Sequence, residues 1–185
     1  MSRVKRLFFG LLPPAEVRKQ LVALQQQWVR RGALHHPRDL HMTLVFIGMS
    51  ERQECLETFA SQIRLPPFEL VIDTIDYWRR PKVLLAGSSH QAPEPLQRLV
   101  AALNAGAGEC DFTPENREYR PHVTLSRRSA PVERQAVEPI VWPVDAFRLF
   151  WSRDGIGTPR YQTLATWKLA GAPLPDADHR QPGSG

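Results

Sequence analysis

Cysteine is almost missing from these 185 residues: there are two, Cys55 and Cys110. They form no Cys-x-x-Cys pair, and two thiols cannot make a disulfide-dense framework. Cys55 falls in a helical stretch and reads as buried packing, so a reducing, cytoplasmic setting is the expectation. Long apolar runs are missing as well. No stretch approaches the roughly 20 residues of a membrane-crossing helix, so no membrane partner is expected. The basic start followed by Leu7 to Leu12 mimics an export signal, but six apolar residues ending in Pro13-Pro14 are too few. No nucleophile-elbow glycines flank Ser152, which argues against serine hydrolysis. His35, His36 and His41 straddle a proline without metal-ligand spacing, so neither a metal site nor a cofactor is expected.

What is present is ordinary for a water-soluble chain, with 42% apolar and 23% charged residues. The length suits one sizeable core, or two small lobes sharing one. The formal charge of +5 and pI near 9.7 lean toward a polyanionic partner, although a basic pI more often serves solubility. Seventeen prolines fall mostly between the periodic segments, as loop punctuation should.

Two short runs stand out against this background. His41-Met42-Thr43-Leu44 and His122-Val123-Thr124-Leu125 both read His-x-Thr-Leu within apolar, β-prone sequence. On a strand, alternate residues share a face, so each motif sets an imidazole beside a hydroxyl and an apolar anchor behind them. Two such pairs facing across a cleft suit acid–base chemistry on a phosphate. The competing reading is two half-buried strand histidines satisfied by their neighbours.

The rest of the chain punctuates clearly. Arg6 to Leu11 reads as a buried strand. Val17, Leu21, Leu24 and Trp28 recur at helical spacing between Glu16 and Arg31, and Gly32 ends that helix. Leu40 to Ile47 is the first motif strand. Ser50 with Gln53 forms a capping box for a helix through about Arg64. Phe68 to Trp78 and Val83 to Gly87 form a hairpin around Arg79-Arg80-Pro81-Lys82. Leu96, Leu99, Val100 and Leu103 stripe a helix that the Gly106–Gly108 stretch ends. A polar loop then leads to the second motif strand. Pro131 to Glu138 reads as a short helix. Val144 to Trp151 and Tyr161 to Leu169 read as a second hairpin around Asp154-Gly155-Ile156-Gly157. The last sixteen residues, 170–185, have the composition of a disordered tail.

A weak internal repeat emerges, each half running helix, His-x-Thr strand, helix, hairpin. The helix openings at Pro14 and Glu94 precede their histidines by 27 and 28 residues. The spacing predicts a bilobal α+β fold with two pseudo-symmetric halves, about 14–87 and 94–169. Antiparallel sheets would line a central cleft, with helices packed outside.

The segments Arg6-Leu7-Phe8-Phe9-Gly10-Leu11, His41 to Gly48 and Arg120-Pro121-His122-Val123-Thr124-Leu125-Ser126-Arg127 together resemble the two-histidine phosphoesterase superfamily. Within it they are most similar to the RNA 2′,3′-cyclic phosphodiesterases, also called 2′-5′ RNA ligases. Leu149-Phe150-Trp151-Ser152 and Tyr161 fit the family's closing segments, and Gly10 stands where related chains often carry Ala. The resemblance covers about Arg6 to Leu169. It implies metal-independent opening of a 2′,3′-cyclic phosphate to a 2′-phosphate, and ATP-independent 2′-5′ joining of certain RNA ends. The matching positions are His41, Thr43, His122, Thr124 and Arg127.

The residues suit that chemistry. Ring opening needs a base for water and an acid for the departing sugar oxygen, and histidine titrates near neutrality. Thr43 and Thr124 are placed to donate to phosphate oxygens, and Arg127 offers a fork of donors. Strict alternation would turn Arg127 away from His122, so the strand must bend or end before it. Only the second motif has an arginine five residues after its histidine; the first has Phe46. A fixed charge beside His122 would suit it as proton acceptor, leaving His41 as proton donor. The expected partner is RNA with a 2′,3′-cyclic phosphate end, bound by a monomer. Alternatives are a small cyclic phosphate of a nucleotide or ADP-ribose as substrate, or a non-catalytic RNA-binding module. Trp78, Trp151, Tyr119, Phe46 and Tyr161 are core aromatics by default, of which one or two could stack on a base.

Overall fold

The computed structural model describes residues 4–114, 118–153 and 159–171. The apolar runs become strands, in chain order β1 (Lys5–Leu11), β2 (Ala33–Leu34), β3 (Met42–Ser50), β4 (Phe68–Trp78), β5 (Val83–Gly87), β6 (His122–Arg127), β7 (Gln135–Val144), β8 (Ala146–Ser152) and β9 (Tyr161–Lys168). The helices are α1 (Ala15–Trp28), α2 (Gln53–Ala60) and α3 (Glu94–Glu109), and a 3-10 turn occupies Pro37–Asp39.

All strand pairs are antiparallel and form one path, β7-β4-β5-β6-β3-β1-β8-β9, with β2 added beside β6. The path divides at its middle. β3 and β6, the two motif strands, touch through the single residue pair Met42–Val123. The sheet is therefore two four-stranded lobes held at one bridge, which is the α+β architecture with a central division that the spacing predicted. The hairpin β4–β5 follows the first motif strand in sequence yet lies beside the second. Likewise β8 and β9 follow the second motif and complete the sheet of the first. The helices interlock in the same way: α1 packs on β6 and β7, whereas α3 packs on β3 and α2.

Alternation explains which residues drive this. Leu7, Phe9 and Leu11 of β1 are fully buried and face the helices. In β4 the buried set runs Leu70, Ile72 and then Thr74, Ile75, and the pairing with β7 slips by two residues between Ile72 and Thr74. Gly32, at φ +122, lets β2 reach β6: a Cβ there would lie 2.8 Å from the Arg127 carbonyl oxygen.

Several local expectations change. Pro131 to Glu138 is not a short helix; from Gln135 the chain is strand β7. Its buried Ile140, Trp142 and Val144 alternate with exposed Pro139, Val141 and Pro143, and an edge strand tolerates prolines that lack a donor. Ser50 makes no capping box. Its Oγ accepts from the Arg52 amide at 3.0 Å in a tight turn, and α2 begins only at Gln53 and ends at Ala60. α1 stops at Trp28, and α3 runs through Gly106 and Gly108 to Glu109. Cys55 is not mere packing. α2 and α3 meet closely, and Cys55 is bonded to Cys110 with an S–S distance of 1.97 Å. The turn at Asp154 to Gly157 and the tail from residue 172 lie outside the described residues. No described helix is long and apolar enough to cross a membrane.

Candidate active site

The bridge Met42–Val123 places the two motifs. Continuing its antiparallel register sets His41 across from Thr124 and Thr43 across from His122. All four side chains are half-buried, while Met42, Val123, Leu44 and Leu125 are buried behind them. Each motif is also interrupted in the same place. Phe9 pairs with Val45 and Gly10 with Thr43, which leaves Leu44 as an extra residue. Leu84 pairs with Ser126 and Leu85 with Thr124, which leaves Leu125 as the extra residue. A bulge resets alternation and re-aims the side chains beyond it. This resolves the strain over Arg127: its charge reaches His41, His35 and Tyr161.

The histidines are oriented alike. His41 Nδ1 lies 2.7 Å from the Asp39 carbonyl oxygen, and His122 Nδ1 lies 2.8 Å from that of Arg120. A carbonyl can only accept, so in both rings Nδ1 carries the proton and Nε2 is the nitrogen able to accept one. The Thr43 hydroxyl sits 3.1 Å from His41 Nε2, and Tyr119 fixes the strand by donating to the Thr43 carbonyl at 3.0 Å. Aromatic rings flank each imidazole. His41 lies 4.9 Å from Phe8 and 4.6 Å from Tyr161, and His122 lies 4.4 Å from Trp78, centroid to centroid. Burial is the chief reason that His41 falls from 6.5 to about 4; the charges of His122 and Arg127 add to it, while Asp39 opposes it through its carbonyl and its carboxylate.

Two cavities flank the bridge, one at each end. The first, about 420 Å³, lies between Thr43–Phe46 and Glu118–His122, with Trp78 and Phe112 in its wall. The second, about 210 Å³, lies between Ala33–His36 and Arg127–Arg128, closed by Arg160 and Tyr161. Thr43 and His122 open onto the first and Arg127 onto the second, while His41 and Thr124 stand between. Such an arrangement can move two protons across a phosphate and hold its oxygens by hydroxyl and guanidinium donors.

The structure thus brings His41, Thr43, His122 and Thr124 together, with Arg127 reaching His41 electrostatically. It also recruits Asp39, Tyr161, Phe8 and Trp78, none of which the motifs reveal; of these, the sequence flagged only Tyr161 and Trp78, as aromatics. The charge of Arg127 also falls on His41, which the sequence did not suggest. His35 and His36 line the second cavity, and no group of three metal-ligating side chains occurs among the described residues.

A model of the 2′-5′ RNA ligase superfamily matches residues 13–156. The chain is 32% identical to the RNA 2′,3′-cyclic phosphodiesterase of Escherichia coli, over 91% of this chain and 99% of that one. It is 31% identical to the RNA 2′,3′-cyclic phosphodiesterase of Thermus thermophilus, over 90% and 91%. The crystal structure of E. coli LigT in apo form superposes with a TM-score of 0.80 at 31% identity, over 91% of this chain and 99% of that one. The same protein complexed with 3′-AMP also gives 0.80, at 30% identity over 90% and 99%.

Proposed function

The chain belongs to the 2′-5′ RNA ligase superfamily, and on that premise we propose that it is a metal-independent RNA 2′,3′-cyclic phosphodiesterase. The observation that carries this reading is the His–Thr, Thr–His quartet set by one strand bridge, with both imidazoles tied at Nδ1. His122 takes a proton from water, and the hydroxide attacks phosphorus. The bond to the 3′ oxygen breaks, and His41 gives that oxygen its proton. The product carries a 2′-phosphate. Thr43, Thr124 and Arg127 donate to the non-bridging oxygens, where charge gathers. An RNA 5′-hydroxyl in place of water gives a 2′-5′ link without ATP.

The order of roles rests on Asp39, whose carbonyl and carboxylate both favour the charged form of His41. In the free protein burial and Arg127 keep His41 neutral at pH 7, so its proton arrives with the anion that offsets them. We place the enzyme in the cytoplasm as a monomer acting on RNA ends. There the Cys55–Cys110 bond would be exposed to thiol reductants.

The test is hydrolysis of a nucleoside 2′,3′-cyclic phosphate beside an RNA oligomer with the same end, after exhaustive chelation. A 2′-phosphate product from both, unchanged by chelator, is the expected result. Loss of activity with chelator and its return with zinc or manganese would overturn the histidine mechanism. Turnover of the mononucleotide alone would assign a small-molecule substrate instead.

A further inference from the structure

The two cavities occupy equivalent places about the Met42–Val123 bridge, yet their walls differ in chemistry. Five residues after its histidine, the first motif carries Phe46, on the aromatic cavity, and the second carries Arg127, on the other. That second cavity gathers three guanidinium groups, Arg127, Arg128 and Arg160, from two separate parts of the chain. Among the described residues none of the three is paired with a carboxylate. The carboxylate that lines the cavity, Asp39, is buried, and its Oδ1 accepts from the amides of Arg160 at 2.7 Å and Tyr161 at 3.2 Å. It therefore fixes the backbone that presents Arg160.

The rim is held in an unusual conformation. Arg128 has φ 55 and Lys82 has φ 64, and the Ser129 amide donates to the Lys82 carbonyl at 3.1 Å. Tyr77 Oη donates to the Ser129 carbonyl at 3.2 Å, which pins the same turn from the sheet side. Left-handed backbone in a non-glycine residue is uncommon and gathers at binding sites. The arginine is thus held at the cavity mouth by its surroundings.

We propose that this basic cavity is a second phosphate subsite, which takes the 5′-phosphate of the terminal nucleotide while the cyclic phosphate lies at His41 and His122. The inference rests on the phosphodiesterase reading above and sharpens it. A cyclic-phosphate nucleotide at an RNA end has one further phosphate, on its own 5′ oxygen, and a free mononucleoside 2′,3′-cyclic phosphate has none. Arginine forks match phosphate oxygens by geometry as well as charge. A cavity of about 210 Å³ has room for a phosphate group. Arg127 borders both the quartet and this cavity, so it spans the two phosphates, whereas Arg128 and Arg160 contact only the second.

The experiment compares ligands that differ by that one group. Adenosine 2′-phosphate and adenosine 2′,5′-bisphosphate are titrated calorimetrically, and adenosine 2′,3′-cyclic phosphate is turned over with and without a 5′-phosphate. The wild-type protein should favour the 5′-phosphorylated member of each pair by about tenfold or more at low salt. Arg128→Asn with Arg160→Gln should reduce that preference to about twofold or less, with the 5′-hydroxyl substrate turned over as before. Asparagine is chosen because it tolerates the left-handed backbone. A wild-type preference near one, or one that survives the double variant, overturns the subsite. So does an equal loss on both members of a pair, which would make the arginines supports of the fold. If neither cyclic substrate is turned over, the phosphodiesterase reading fails, and the binding preference alone still decides for or against the subsite.

Discussion

If His41 donates the proton, it must become charged when substrate binds, and that charging is measurable. With a value of about 4 in the free protein, roughly one His41 in a thousand carries a proton at pH 7. Half-occupancy in the complex needs a rise of about three pH units, or about 4 kcal/mol. One negative phosphate charge at about 4 Å supplies about 4 kcal/mol at an effective dielectric near 20. The two magnitudes match, so binding at pH 7 should take up about half a proton. His122→Ala is the protein to use, because without its base it leaves the cyclic phosphate intact. Calorimetric titration in buffers of different ionisation enthalpy gives the uptake directly. Adding His41→Ala should abolish it. No uptake by His122→Ala, together with uptake by the single His41→Ala protein, would refute the reasoning and exchange the two roles.

Three further outcomes follow from particular contacts. The pH profile of kcat/KM should be bell-shaped with a limb near pH 4 set by His41, and Arg127→Gln should move that limb upward, since a charge that disfavours the imidazolium is gone; a limb that stays put would sever the two residues. Gly10→Ala should lower stability by about 1–3 kcal/mol in thermal unfolding, because its Cβ would lie 2.8 Å from the Met42 carbonyl oxygen at the bridge itself; an unchanged melting temperature would show that the bridge yields freely. Reducing Cys55–Cys110, which closes 55 residues of sequence, should lower stability by about 4 kcal/mol on the loop-closure model without abolishing turnover, and Cys110→Ser should behave as the reduced protein does with or without thiol.

The paired motifs were legible because strand alternation alone puts histidine and threonine on one face. Arg127 was legible as a residue but not as a direction. The bulge at Leu125 that turns it has no sequence signature, and Leu44 gives no more warning. Asp39, Tyr161 and Arg160 matter because β9 returns beside a loop more than 100 residues away, a meeting that no local pattern encodes. The stretch from Pro131 to Glu138, read as a short helix, enters β7 at Gln135, and Pro139 and Pro143 occupy exposed positions of its alternation at a sheet edge. Cys55 and Cys110 pair only because α2 and α3 pack together. The charge argument for His122 did not foresee that Arg127 also reaches His41.

The exchange of hairpins between lobes has a consequence for how the chain is made. The four long strands of the second motif's lobe lie in one stretch, from Phe68 to Val144. α1 and β2, which pack on them, are made earlier, so this lobe can close as soon as that stretch leaves the ribosome. The lobe of the first motif cannot. β1 needs β8 and β9 from the far end, and Phe8 stacks on Phe150 at 5.0 Å. At roughly 5–20 residues per second, the apolar run of β1 waits on the order of ten seconds for that partner. Phe150 and Tyr161, which wall in His41, arrive in the same final stretch. A nascent chain therefore lacks the finished surroundings of His41 until β9 has been made, and chaperones that shield unpaired apolar strands would find their target in β1.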